Sequence, residues 1–296
     1  MIVITGANGQ LGRLVIQQLL QRGVAPGQIV AAVRSPAKAA DLAAQGLQLR
    51  EADYNRPETL DGAFAGATQL LLISSSEIGQ RLPQHRAVVD AARRAGVAHL
   101  AYTSLLHADR SPLGLAAEHL ATEALIADSG LPHTLLRNGW YSENYLASVP
   151  AALQHGAFIG SAGEGHIASA ARIDYAAAAA VVLTRAVPAA AATGLVLELA
   201  GDGSYTLAEL AAELSRRTGR TIPYVNLPQA DFAAALKCAG LPAGLADLLA
   251  DSDVGAAQGG LFDDSRTLSA LIGRPTEPIA EGLARALDGA GFIASA

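Results

Sequence analysis

Apolar positions along this chain switch between two periods. Apolar runs fall at 2–4, 29–33, 47–52, 70–74, 100–103 and 134–137, and each predicts a buried strand. Between them, at about 37–45, 57–65, 84–95 and 114–128, the apolar residues space out to a helical period. Strand and helix alternate for about the first two hundred residues, which predicts a doubly wound parallel sheet with helices on both faces. A later run near 195–201 predicts a last strand that returns to this sheet. From about Ser142 the alternation weakens, and helices are expected at 142–154, 174–186, 206–217, 229–239 and 243–250, with a small strand at 223–225. The alanine-rich tract at 176–192 favours helix until Pro188 interrupts it.

The first junction carries the most chemistry. After Ile2-Val3-Ile4 come Gly6, Gly9 and Gly12, and then Leu11, Val15 and Leu19 at helical spacing, with Leu14, Ile16 and Leu20 beside them. Gly6 permits a tight turn, Gly9 lets backbone approach a pyrophosphate, and Gly12 lets the helix pack on the strand. The helix N-terminus adds free N–H groups and a positive dipole end. This reads as the dinucleotide-binding turn of a Rossmann-type domain, expected over 1–141, with a smaller and mainly helical substrate lobe over 142–296.

The second strand ends about twenty residues after the glycines, where NAD-binding domains place a carboxylate for the ribose hydroxyls. Here Arg34 stands there, with Ser35 and Lys38 close by. A guanidinium pairs with a 2′-phosphate, so NADPH is expected over NADH. Asp53-Tyr54 ends the third strand, either meeting the adenine amino group or opening the helix that Pro57 begins. Ser74, Ser75 and Ser76 end the fourth strand, either letting a cofactor pass close to the strand ends or forming an ordinary polar loop.

Composition narrows the classes. The 296 residues are 51% hydrophobic with a net charge of −6, and no Lys/Arg run offers a nucleic-acid surface. The seven histidines are scattered without metal-ligand spacing, so no metal is expected. Residues 251–255 resemble the start of a calcium loop, but its last ligand position holds Phe262, so a solvated acidic turn is expected. Cys238, the single cysteine, excludes an internal disulfide framework and reads as a buried helix residue. Residue 1 opens directly onto the first strand and no charge-free apolar stretch reaches membrane-spanning length, so a cytoplasmic protein without a membrane partner is expected.

The Tyr-x-x-x-Lys pair of most short-chain reductases is missing. The chain has two lysines, Lys38 and Lys237, and four positions before them stand Arg34 and Ala233. A ketone becomes a basic alkoxide and needs a protein acid. A quinone becomes a weakly basic phenolate that takes its proton from water, so positioning suffices. The absence therefore suits a quinone-like acceptor, or a protein that binds the dinucleotide without chemistry, and it disfavours a sugar epimerase or dehydratase. The stretch 136–145 concentrates Asn138, Gly139, Trp140, Tyr141, Ser142, Glu143, Asn144 and Tyr145 after a strand. It either walls a nicotinamide or starts a helix, with Ser142 or Asn138 as cap and Trp140 in the core.

ITGANGQLG, AAVRSPAKA, LLLISSSEIGQR, AYTSLLHADRSPLGLAAEH, LLRNGWYSENYL and DSDVGAAQGGLFDDS together resemble the type 2 NAD(P)H:quinone oxidoreductases among the NmrA-like atypical short-chain reductases. Triphenylmethane dye reductases share much of the pattern. The resemblance implies flavin-free, NADPH-dependent two-electron reduction of quinones in a cleft between two lobes. It places the dinucleotide on Gly6, Ala7, Asn8, Gly9, Gln10 and Leu11, on Arg34, on Ser74 to Ser76 and on Asn138 to Glu143. Ser169 and Arg172 fall where the second lobe would close on the acceptor, unless they form a polar loop. His107, Tyr141 and Asn144 are candidates for orienting the acceptor, with His107 equally readable as a surface-loop histidine. The competing reading is an NADP(H)-binding redox sensor of the NmrA regulator type.

Overall fold

β1 (Ile2–Thr5) buries Val3, Ile4 and Thr5 completely and pairs in parallel on both sides. Ile2 lies opposite Ile29 of β2 (Ile29–Val33) and opposite Gln69 of β4 (Gln69–Leu72). β3 (Gln48–Glu51), β5 (His99–Leu105) and β6 (His133–Asn138) extend the parallel pairing, and β8 (Leu195–Leu199) completes a seven-stranded sheet in the order β3-β2-β1-β4-β5-β6-β8. β1 is an interior strand and β2 is buried along its whole length, which is why both read as continuous apolar runs. The computed structural model describes residues 1–77, 79–186 and 194–289; the helix interruption expected at Pro188 lies outside them.

The helices between these strands are α1 (Gln10–Gln21), α2 (Ala40–Ala44), α3 (Glu58–Phe64), α4 (Arg81–Arg94) and α5 (Ala116–Asp128). Leu60 and Phe64 of α3 and Val88 and Val89 of α4 pack with Val3, Val30, Leu70 and Leu72 in one buried cluster. The remaining elements are α6 (Ser142–Leu146), α7 (Val149–His155), β7 (Phe158–Gly160), α8 (Arg172–Thr184), α9 (Leu207–Thr218), β9 (Tyr224–Asn226), α10 (Gln229–Cys238), α11 (Ala243–Ala257), α12 (Thr267–Ile272) and α13 (Ile279–Gly289). β7 and β9 form a separate two-stranded parallel sheet. One compact unit holds Met1–Ala108, Ala117–Asn138 and the described residues of Ile173–Leu197. The other holds Asp109–Ala116, Gly139–Arg172 and the described residues from Glu198 onward.

Three expectations need correcting. The helix at 142–154 is two helices, because Pro150 sits in the first turn of α7 and would break a continuous ladder. The acidic turn at 251–255 is helical, within α11, and Asp253 is buried. Gly255 belongs there for packing, since a Cβ on it would lie 2.7 Å from Leu113 Cδ1. Cys238 is exposed, because α10 turns Phe232 and Ala233 inward and ends at the cysteine. The elements β7, α12 and α13 carried no signal strong enough to be expected.

Candidate functional site

The turn from β1 into α1 is built around its glycines. Gly6 takes a left-handed φ of +58°, and its carbonyl accepts from Gly9 N–H at 2.9 Å. A Cβ on Gly12 would lie 2.5 Å from that carbonyl oxygen and 2.7 Å from Ala7 Cα, so helix and turn touch only if residue 12 is glycine. Ala7, Leu11 and Gly12 are buried beneath the turn, while Gln10 is exposed. Gly9 is the N-cap of α1 and no side chain caps it, which leaves the first amides of the helix facing outward. Arg13 bonds both Asn8 Oδ1 at 3.1 Å and Asp41 Oδ2 at 2.6 Å, tying the turn to α2.

A cavity of about 660 Å³ opens on this turn. Gly6, Asn8 and Gly9 line one wall, Arg34, Ser35 and Lys38 another, Asp53, Tyr54 and Asn55 a third, and Ser74, Ser75, Ser76 and Glu77 a fourth. Arg34 is largely exposed and reaches Glu77, which also accepts from Gln84 Nε2 at 2.7 Å. Tyr54 donates to Thr5 Oγ1 at 2.6 Å, and burial raises its phenol above the ordinary range. Asp53 Oδ1 accepts from Asn55 N–H at 3.0 Å and faces Arg56. Ser74 N–H is held by Thr103 Oγ1 at 2.9 Å. A glycine cradle that side chains would fill, outward helix amides and two cations after β2 fit a dinucleotide with a 2′-phosphate.

The other expected residues form a second cluster. Ser142 N–H donates to Ala170 O at 2.9 Å, and Tyr141 bridges to Ala170. The Arg172 guanidinium stands 4.7 Å from the centre of the Tyr141 ring. Glu143 accepts from Arg172 N–H at 3.0 and 3.1 Å, one bond to each carboxylate oxygen. Ser142 Oγ meets Ser169 Oγ at 2.9 Å, and Ser169 Oγ meets Tyr205 OH at 2.8 Å. Trp140 is buried, its ring 6.5 Å from that of Tyr145, and Gly139 N–H donates to Leu199 O at 2.7 Å. Asn144 is half-buried, with its N–H on Tyr141 O at 3.0 Å. Tyr141 is the N-cap of α6 and no side chain caps that helix, so neither Ser142 nor Asn138 acts as cap.

Two predicted residues belong to the other compact unit. Asn138 ends β6 with its Oδ1 buried and without a hydrogen-bond partner among the described residues. His107 follows β5, half-buried, with a left-handed φ of +52° that is strained for a non-glycine residue.

Sequence reasoning missed a buried acid next to the second cluster. Asp253 accepts from Tyr145 OH at 2.9 Å and from Ser161 N–H at 2.8 Å, and burial pushes its carboxyl up to about 6. Its neighbour Tyr145 is raised by burial and then by Asp253. Arg81 and His85, buried behind Ser75, were missed as well; their spacing of four on one helix was the available signal.

Residues 6–186 match the sequence model of a family described as NAD(P)H-binding. The chain is 63% identical over 283 residues to quinone oxidoreductase 2 of Escherichia coli (strain K12), covering 96% of this chain and 97% of that one. A crystal structure of the NADPH-dependent quinone oxidoreductase from Escherichia coli complexed with NADPH superposes with a TM-score of 0.91 at 62% identity, covering 96% of this chain and 99% of that chain. The triphenylmethane reductase of Citrobacter sp. complexed with NADP(H) superposes at 0.90 with 38% identity, covering 97% and 100%. Among the described residues, no helix is long and apolar enough to cross a membrane.

Proposed function

This chain belongs to the NAD(P)H-binding family, in its branch of NmrA-like quinone reductases, and on that premise we propose that it reduces quinones by two electrons with NADPH. The carrying observation is the cavity on the β1–α1 turn, where the glycine cradle meets Arg34 and Lys38 and no carboxylate directly follows β2. NADPH supplies the hydride when bound. The amides from Gly6 to Leu11 and the N-terminus of α1 hold its pyrophosphate, with Gly12 keeping the turn closed. Arg34 holds the 2′-phosphate, and Ser74 to Ser76 line the path toward the nicotinamide.

Asn138 to Glu143 flank the nicotinamide, and Tyr141, Asn144 and His107 orient the acceptor. Ser169 and Arg172 complete the acceptor side through their bonds to Ser142 and Glu143. No protein acid is required, because a reduced quinone leaves as a weakly basic phenolate; proximity and orientation supply the rate. A cytoplasmic setting fits a chain with one cysteine, and cell fractionation checks it. Product analysis tests the reaction: one hydroquinone formed per NADPH consumed, with no flavin added and no semiquinone radical detected by electron paramagnetic resonance during turnover, supports two-electron transfer. A yield well below that ratio rejects it.

A further inference from the structure

Behind the Ser74–Ser76 wall of the cavity lies a buried polar group that the cradle and Arg34 leave unexplained. Arg81 and His85 sit four residues apart on α4, hence on one face, and both are buried. They hold the two ends of one residue. Ser75 N–H donates to His85 Nε2 at 2.9 Å, and Ser75 C=O accepts from Arg81 Nε at 2.9 Å. Arg81 Nη1 continues to Glu118 Oε2 at 2.9 Å, and Glu118 Oε1 accepts from Gly79 N–H at 3.0 Å. On the far side of the imidazole, Nδ1 lies 3.1 Å from Thr122 Oγ1, whose own proton goes to Glu118 O at 2.9 Å.

Counting protons fixes the state of the ring. A backbone N–H can only donate, so Nε2 carries a lone pair. The Thr122 hydroxyl has spent its hydrogen, so it accepts from Nδ1. His85 is therefore neutral and protonated on Nδ1. A cationic ring would set two donors against each other at 2.9 Å, with Arg81 beside them. Burial, and then Arg81, push the imidazole down to about 3, in the same direction. The rings facing it are Tyr54 and Tyr102, at 6.3 and 5.4 Å between centres, and His119 lies beyond, bonded to Tyr102 OH at 2.8 Å.

We propose that His85 is a positioning residue of the cofactor pocket, a neutral Nδ1–H imidazole that grips the Ser75 amide while Arg81 grips its carbonyl. It touches no cofactor and acts through the shape of the Ser74–Ser76 wall. The inference rests on the dinucleotide reading of that cavity.

The first test is nitrogen-15 NMR of the histidine-labelled full chain, with His85→Gln used for assignment. The expected His85 signature is a protonated Nδ1 and a bare Nε2, unchanged from about pH 6 to 8, where an ordinary histidine titrates. A proton on Nε2, or a ring that titrates in that range, overturns the proposal. The second test is fluorescence titration of NADPH and steady-state kinetics with H85A and H85Q. H85A loses about tenfold in NADPH affinity, because Ser75 N–H loses its acceptor. Its KM for NADPH rises in step, while kcat falls by less than about threefold. H85Q, which offers an oxygen acceptor, recovers part of that loss. A folded H85A that binds NADPH like the parent overturns this proposal alone. A parent chain that binds no NADPH overturns it together with the dinucleotide reading. If H85A does not fold, the tautomer measurement on the parent chain decides.

Discussion

Arg34 and Glu77 face each other across the cavity, with Nη1 and Oε1 3.3 Å apart. The carboxylate is itself fixed by Gln84 Nε2 at 2.7 Å and reached by Asn55 Nδ2 at 3.4 Å. Any anion that binds the guanidinium therefore competes with an acid built into the opposite wall.

Reversing the charge of Arg34 tests whether that guanidinium reads a 2′-phosphate. Arg34→Glu is expected to weaken NADPH binding by roughly ten- to hundredfold, the range of a lost charge-assisted hydrogen bond. NADH binding changes far less. Parallel titrations of both nucleotides check this, and equal losses would remove Arg34 from cofactor choice.

Glu77→Gln acts in the other direction. It removes the competing anion and keeps a side chain of the same shape. Both partners of the Arg34 pair are exposed, which limits the pair to about 1 kcal/mol at most. NADPH affinity is expected to rise by up to about fivefold at low salt, and the gain to shrink as ionic strength screens it. Weaker NADPH binding in this variant would mean that Glu77 supports the cofactor instead of opposing it.

Gly12→Ala places a methyl group 2.5 Å from the Gly6 carbonyl oxygen. The clash is with backbone, so α1 has to move off the turn. Such overpacking costs about 1–3 kcal/mol, or a few degrees of thermal midpoint in a chain of this size. NADPH affinity falls with it, because the displaced amides belong to the cradle. Unfolding curves and a nucleotide titration of the same sample read both effects, and parent-like values in both would contradict this account of the turn.

Asp253 makes stability depend on pH. Burial raises its carboxyl from 3.8 to about 6, so the folded chain holds this proton more tightly than the unfolded chain. The resulting stabilisation is complete below about pH 4 and is lost as pH rises through about 6. At neutral pH the fold carries a buried anion, at a cost on the order of 3 kcal/mol relative to acid. Asp253→Asn keeps an acceptor for Ser161 N–H and removes the titration. Its stability relative to the parent is expected to climb between about pH 4 and 6 and then level off. Urea midpoints across that range measure the climb, and a constant difference would show that Asp253 does not titrate there.

Local signals account for what was legible in advance. β1, the glycine turn and α1 announce themselves because each glycine answers a short-range steric demand, as the Gly12 contacts show. The strand 29–33 was readable to the residue, since every position in it is buried. The residues gathered around the cavity from β1, β2 and the Ser74–Ser76 loop were likewise readable, because strand ends in such a sheet converge on one edge. Asp253 was not legible. Its neighbours Asp251 and Gly255 imitate a turn, and only Leu113, well over a hundred residues earlier in the chain, explains the helical glycine. For His85 only its spacing of four from Arg81 was legible, since its partners Ser75 and Thr122 come from separate elements brought together by the sheet.

The most direct test of the whole account follows absorbance at the reduced-nicotinamide band, with 1,4-benzoquinone as acceptor and no flavin added. Rapid loss with NADPH and slower loss with NADH are expected. Tight NADPH binding without turnover, or turnover only after flavin is supplied, would contradict it.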